Sequence, residues 1–457
     1  MKIVRLALTA AISVAFAVAQ DTDDRICSRG GCPARNNFAP SLAAGDSLRF
    51  KNNWFLTGDY VVGGVGVRGT GVNGFATGVI PIAGVPAHAD IIAAYLYWET
   101  LGNSPNGTGQ NATFMPAGGQ ASAIVGTSLG TVASPCWGSP VNYITVFRAD
   151  VLQYFPRDPD GRQLVNGNHV VTLPDSGDKT FTTAPSTEGA SLVIVWRLPG
   201  MPYKAIVLYD GAFTIGFSPN PAVFSQTIVG FYQASSVSPQ AKITHIVGDG
   251  QAPTLNNEVL FNGTTLGFNV FTGAQGPLWD NPTFDVSALV PANASQVTTS
   301  SPSSLTDCLT WGAVVFSTTV QDTDGDGIPD TVEINGMTDP ANGSFVNFPA
   351  MGANPNVKDI FVQLDYMVAG DHTHQPSGLE RIVHDALKTR LAIGQVVAAA
   401  VFEKETVAHL VHERARLLVH GALHIVTVGP DAAGSIGVMP VTESDLKVAA
   451  RQIGNAG

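Results

Sequence analysis

The chain has 457 residues, enough for about two to four domains, and only 13% of them are Asp, Glu, Lys or Arg. Its 36 acidic residues outnumber its 24 Lys and Arg, giving a formal net charge of −12, which argues against nucleic acid or an anionic membrane as partner. The 49 glycines and 29 prolines fit short strands joined by tight turns and argue against long helices.

Residues 1–19 read as a secretory signal. Lys2 and Arg5 supply the charged start, Leu6 to Phe16 the apolar stretch, and Ala17-Val18-Ala19 the cleavage site, so the predicted mature chain begins at Gln20. The apolar stretch is shorter than the ~18 residues a membrane helix needs, and no later run approaches that length. The expectation is a secreted or cell-surface protein with no transmembrane segment after cleavage. Residues 20–45 form a lead-in, where Cys27 and Cys32 close a short loop and are predicted to pair as a disulfide in an oxidising compartment. Cys136 and Cys308 lie far apart in sequence and either pair between strands or stay free. The spacing of Cys27 and Cys32 is poor for zinc, and no histidine lies near. Asn106, Asn111, Asn262, Asn293 and Asn342 head N-x-S/T triplets. They matter for glycosylation only in a eukaryotic secretory route, and the reading leans bacterial.

From 46 to 215 the chain reads as strands: Ala93–Trp98, Asn142–Phe147, His169–Leu173, Ala190–Trp196 and Ala205–Tyr209, separated by breakers at Asn166-Gly167, Asp175-Ser176-Gly177 and Asp210-Gly211. Val62-Gly63-Gly64-Val65-Gly66-Val67-Arg68 is glycine-rich and is read as turns, not as a nucleotide cradle. Residues 216–320 repeat the style, with strands at Gln240–Val247, Glu258–Phe261, Thr283–Ser287 and Trp311–Ser317. The predicted fold is mainly β: two sandwich or jelly-roll-like units, 46–215 and 216–320.

Residues 321–356 are a calcium loop and linker. Asp322, Asp324, Asp326, Gly327 and Glu333 fit D-x-D-x-D-G-x5-E. A hard cation such as Ca²⁺ takes about six to eight oxygens. The aspartates fall at loop positions 1, 3 and 5, and Gly327 permits the sharp turn. Ile328 offers a backbone carbonyl at position 7, Asp330 ligates directly or through water at position 9, and Glu333 closes the site. Ca²⁺ is the one cofactor expected.

Residues 357–457 are read as a smaller α/β or helical C-terminal part, opening with a buried strand over Asp359–Tyr366. Seven of the ten histidines lie between His372 and His424. His372 and His374 alternate, so on a strand both imidazoles face one side and make a second candidate metal pair. The plain alternative is a polar loop. His409, His412, Glu413, Arg416 and His420 share a helical face, read as a solvated face because the Arg416 cation opposes a divalent metal. No zinc-protease helix motif, nucleophile elbow or phosphate-binding loop occurs, and no catalytic residue is assigned.

Three resemblances attach to these segments. Ala94–Trp98, Arg148–Val151, Gly189–Trp196 and Ile206–Gly211 resemble a family of β-rich bacterial surface domains, over roughly residues 50–320. The resemblance implies that these are core strands. Asp322–Glu333 is similar to the calcium repeats of the thrombospondin type 3 kind, which implies a stiffened linker. Val357–Met367, with His372–His374 and Leu379–Ala386, resembles the opening of a metalloprotease-like domain of exported bacterial proteins. The zinc-helix motif expected next is missing. A truncated domain, or a frame shift after about Asp385, would account for the altered composition.

The sequence therefore predicts an exported, calcium-binding surface or adhesion protein with an extracellular ligand, a protein or a glycan. The alternative is a metal-dependent hydrolase with its catalytic part at the C-terminus and the sandwiches as accessory domains.

Overall fold

The computed structural model describes residues 47–134, 142–179, 182–216, 223–234, 238–251, 258–302 and 308–361, with the backbone of 396–397. The chain divides into two compact units. The first runs to Gln321 and takes in Thr338–Ser344; the second holds Asp322–Met337 and the described chain from Phe345. The architecture is mainly β, as the composition requires.

The strands of the first unit are, in chain order, β1 (Arg49–Gly66), β2 (Phe75–Ile82), β3 (Asp90–Gly102), β4 (Asn111–Met115), β5 (Ser122–Val125), β6 (Thr127–Ala133), β7 (Tyr143–Asp150), β8 (Gly167–Pro174) and β9 (Ser186–Arg197). They continue with β10 (Tyr203–Ile215), β11 (Phe224–Val229), β12 (Lys242–Gly248), β13 (Glu258–Phe261), β14 (Thr264–Phe268), β15 (Trp279–Asp280), β16 (Thr283–Asp285), β17 (Gln296–Ser301) and β18 (Leu309–Thr319). Ten of them form one antiparallel sheet in the order β15-β12-β18-β10-β1-β9-β3-β7-β6, with β16 also paired to β12. Two four-stranded sheets, β2-β8-β4-β5 and β11-β17-β13-β14, complete the unit.

β1 is the pivot. Its first half, Arg49–Thr57, pairs with β10, and its second half, Gly58–Gly66, pairs with β9. The two wings of the large sheet share a core in which Tyr60, Ala93, Tyr97, Val193, Ile206 and Val315 meet. The opposite face of β3 and β9 packs Leu96, Trp98, Leu192 and Ile194 against Phe114 and Val171 of the β2-β8-β4-β5 sheet. β9 is thus covered on both faces, which explains why all its residues are buried and its sequence shows no alternation. β2, covered on one face only, alternates strictly between exposed and buried. On the far side of β18, Phe224 stacks on Trp311 with ring centroids 4.3 Å apart, and Phe231 and Phe261 close on Phe316.

The sequence reading placed a boundary near residue 215, but β12 and β18 lie in the same sheet as β1 and β10, so strands from both stretches share one fold. The breaker read at Asp210-Gly211 is a register shift inside β10, not a turn. The glycine run 63–66 is not a turn either. It lies in β1, where side chains are excluded by close neighbours: a Cβ on Gly63 would sit 2.2 Å from the Pro81 carbonyl oxygen, and one on Gly66 2.5 Å from the Pro277 oxygen. Among the described residues no helix is long and apolar enough to cross a membrane.

Candidate metal centre

The second unit opens with the loop that the sequence singled out. Gly325 and Gly327 take positive φ values of 73° and 95°, a conformation that glycine adopts without steric cost. These turns aim backbone N–H groups inward. Gly325 N and Gly327 N donate to the Asp322 carboxylate at 2.8 and 2.9 Å, Asp326 N donates to Asp324 Oδ1 at 3.1 Å, and Ile328 N donates to Asp326 Oδ1 at 2.8 Å. After Pro329 a short helix, α1 (Asp330–Asn335), carries Glu333 into the interior, with Ile328 and Val332 buried as its apolar anchors. Gly336 ends it, donating its N–H to the Val332 carbonyl.

A sixth acid reaches the loop from elsewhere in the chain. Asp359 N donates to Asp326 Oδ2 at 2.7 Å across 33 residues of sequence. Asn354 N in turn donates to Asp359 Oδ2 at 2.7 Å, and Lys358 Nζ donates to the Gly325 carbonyl at 3.0 Å. The acids gather in two groups whose oxygens lie within 4.8 Å of one another: Asp322, Asp324 and Asp326, and then Asp326, Glu333 and Asp359. Asp326 belongs to both.

The second group is the more buried. Glu333 is 1% exposed and Asp359 0%, yet among the described residues both Glu333 oxygens and Asp359 Oδ1 have no hydrogen-bond partner, nor does Asp324 Oδ2. Burying a carboxylate without partners costs several kcal/mol, roughly 2–7 even for a neutral polar group. The strain shows in proton affinity. Desolvation first, and then the neighbouring carboxylates, push Glu333 up to about 9 and Asp324 up to about 6. Desolvation lifts Asp326 to about 7, and it raises Asp322 and Asp359 as well. Among the described residues only the Lys358 ammonium acts on these acids, opposing the rise at Asp324, and a bound cation would balance the rest. Among the described residues the donors are all oxygen, with no thiolate or imidazole among them, a set that suits Ca²⁺ or Mg²⁺ better than zinc.

Of the residues read from the motif, Asp322, Asp324 and Asp326 thus gather in one group, and Glu333 joins Asp326 in the other. Asp330 stands apart: its carboxylate accepts from Thr323 N at 2.6 Å and from Thr323 Oγ1 at 2.5 Å, and belongs to neither group. Ile328 holds its place at position 7, with its N–H on Asp326. Asp359 was missed. In the sequence it is simply the first residue of an apolar strand, and no spacing rule ties it to the loop. The signal peptide 1–19, the cysteines Cys27, Cys32 and Cys136, and the histidines from His372 to His424 lie outside the described residues. Cys308 is buried and disulfide-bonded.

A second polar centre in the first unit was also missed. Arg68 Nη1 bridges Glu188 at 2.8 Å and Asp249 at 2.9 Å, all three buried. Beside them Glu99, on β3, is 0% exposed and neither of its oxygens has a hydrogen-bond partner among the described residues. Its carboxyl fills the space left by two glycines: a Cβ on Gly248 would lie 2.3 Å from Glu99 Oε2, and one on Gly312 3.1 Å from Oε1. Desolvation, then Glu188 and Asp249, hold the Glu99 carboxyl far above the usual carboxylate range. The two buried histidines have their ring nitrogens satisfied within the core. His245 Nδ1 accepts from Trp311 Nε1 at 3.2 Å while Nε2 meets Thr299 Oγ1, and His169 Nδ1 accepts from Ala117 N while Nε2 meets the Val165 carbonyl. Comparison with protein-family models and with characterised proteins gave no match.

Proposed function

We propose that this chain is an exported calcium-binding surface protein, in which a β-rich unit presents a binding surface to an extracellular protein or glycan and the loop at 322–333 holds Ca²⁺. The observation that carries the calcium reading is the buried Glu333 carboxylate, with both oxygens unpartnered beside Asp326 and Asp359. Three features support it together: a motif in register, a donor set of oxygen alone, and a local excess of negative charge. Export rests on the N-terminal sequence, and adhesion on the resemblance of the β-rich stretch to bacterial surface domains.

Calorimetric titration of the full chain with CaCl2, and separately with MgCl2, tests the reading. Ca²⁺ is expected to bind more tightly than Mg²⁺, because Mg²⁺ demands near-octahedral geometry and dehydrates reluctantly. Glu333→Ala is expected to weaken Ca²⁺ binding about tenfold or more, since it removes the ligand that closes the loop. Asp330→Ala is expected to change affinity far less, because that carboxylate serves Thr323. An apo protein that takes up no Ca²⁺ at millimolar concentration refutes the proposal.

A further inference from the structure

We infer that Asp359 is a Ca²⁺ ligand supplied from outside the loop, so that the ion latches the segment 354–361 onto residues 322–333. The inference rests on the calcium reading above and adds a residue and a consequence that the loop motif does not contain.

Three observations carry it. The first is geometric: Asp359, Glu333 and Asp326 bring carboxylate oxygens within 4.8 Å of one another, about twice the Ca²⁺–oxygen distance of roughly 2.4 Å. The second is the state of the groups: Asp359 Oδ1 and both Glu333 oxygens are buried and accept no hydrogen bond from any N–H or hydroxyl among the described residues. A carboxylate placed only to hold its own segment would have its oxygens satisfied, as Asp359 Oδ2 is by Asn354 N. The third is the balance of forces on the segment. Two hydrogen bonds draw it to the loop, Asp359 N to Asp326 Oδ2 and Lys358 Nζ to the Gly325 carbonyl. Against them stands the crowding of three buried carboxyl groups, which cannot all ionise within a few Å of one another without strong repulsion.

A divalent ion reverses the sign of that balance. With the ion absent, Asp359 faces Asp326 and Glu333 with carboxyl oxygens that no donor among the described residues satisfies. With it present, the same three carboxylates share one cation, and the segment is drawn in by what had pushed it away. Ion occupancy and the docking of 354–361 are therefore linked, and each favours the other by the same factor. The strand Ile360–Phe361, which pairs in parallel with Val396–Val397, begins at the next residue. The latch thus acts directly at the start of that pairing.

The experiment compares the wild-type full chain with Asp359→Asn and Asp359→Ala, by CaCl2 calorimetry and by amide hydrogen exchange of residues 354–361 with CaCl2 or with chelator. The Asn variant keeps an oxygen for Asn354 N and removes the charge, so it separates ligation from a purely structural role. In the wild type, Ca²⁺ is expected to slow exchange across 354–361. Both variants are expected to bind Ca²⁺ about tenfold or more weakly and to lose that protection, with Asn less affected than Ala. If the wild type binds Ca²⁺ and both variants bind equally well, or if exchange at 354–361 ignores Ca²⁺, the latch is overturned and the loop site stands without it. If Asn restores wild-type affinity in full, Asp359 only shapes its segment and the inference fails. A wild type that binds no Ca²⁺ overturns both this inference and the reading on which it rests.

Discussion

Glu99 is the residue whose chemistry is most at odds with its surroundings. It is fully buried, both oxygens are unpartnered, and the nearby Arg68 is already engaged by Glu188 and Asp249. Its proton affinity in the folded protein is raised by burial first and by the two neighbouring acids next, and Glu188 is raised in the same direction, chiefly by burial. The folded state therefore holds protons that the unfolded chain gives up near pH 4.3, the ordinary Glu value. The stabilising proton is fully in place below that pH, and stability falls as pH rises towards the folded-state value. Each unit of upward displacement is worth about 1.4 kcal/mol. Glu99→Gln removes the titration and keeps the shape, so it is expected to flatten the decline and raise the melting temperature at pH 8 by roughly 2–4 °C per kcal/mol recovered. Thermal melts followed by tryptophan fluorescence between pH 5 and pH 8 check this; a variant that melts lower than wild type at every pH contradicts it. Nothing in Tyr97-Trp98-Glu99 marks that carboxyl as buried, because the signal is the pair of glycines at 248 and 312 on other strands. Asp322, Asp324, Asp326 and Glu333 were legible because their partners lie within one loop. Asp359 was not, because it meets them only through tertiary structure.

At the level of elements, the β character of the chain and nine of the eighteen strands of the first unit could be read locally. Ala93–Trp98, Ala190–Trp196 and Trp311–Ser317 all fall inside strands of the structure. What could not be read was how the strands are shared. The stretches before and after residue 215 look alike in composition, and only the pairing of β18 with both β10 and β12 joins them. The glycine run of β1 misled for a related reason: glycine marks a turn when φ must be positive, but it also marks a place where another backbone comes close. Gly66 is of the second kind, with Gly276 and Pro277 against it. Gly66→Ala is accordingly expected to destabilise the first unit by about 1–3 kcal/mol, the usual cost of forcing a methyl group into a filled space. Chemical denaturation measures it. A shift in midpoint of no more than experimental error would show that the contact relaxes freely.

On the scale of the whole molecule, the feature with the widest reach is the position of β1. It is the first strand in the chain order of the described residues and the innermost in the large sheet, bonded to β10 along one half and to β9 along the other. Val62→Pro would remove a ladder N–H opposite Val193, in a strand with neighbours on both sides, where proline is not tolerated. The expected result is loss of the cooperative unfolding transition of the whole β-rich unit and not fraying at one edge, which circular dichroism during denaturation would report. The same placement sets a timetable. A ribosome makes β1 before any of its partners, and those partners, between Gly189 and Asp210, come only after β2 to β8 have been made. Until then eighteen residues of strand-forming sequence wait with open backbone groups, the condition in which chains find one another instead of themselves. The central strand can be seated on both sides only once the tenth of the unit's eighteen strands has been made. Refolding from denaturant is therefore expected to be slow and to lose yield as protein concentration rises, and the growing chain gains most from whatever keeps its first strand unpaired until its ninth and tenth arrive.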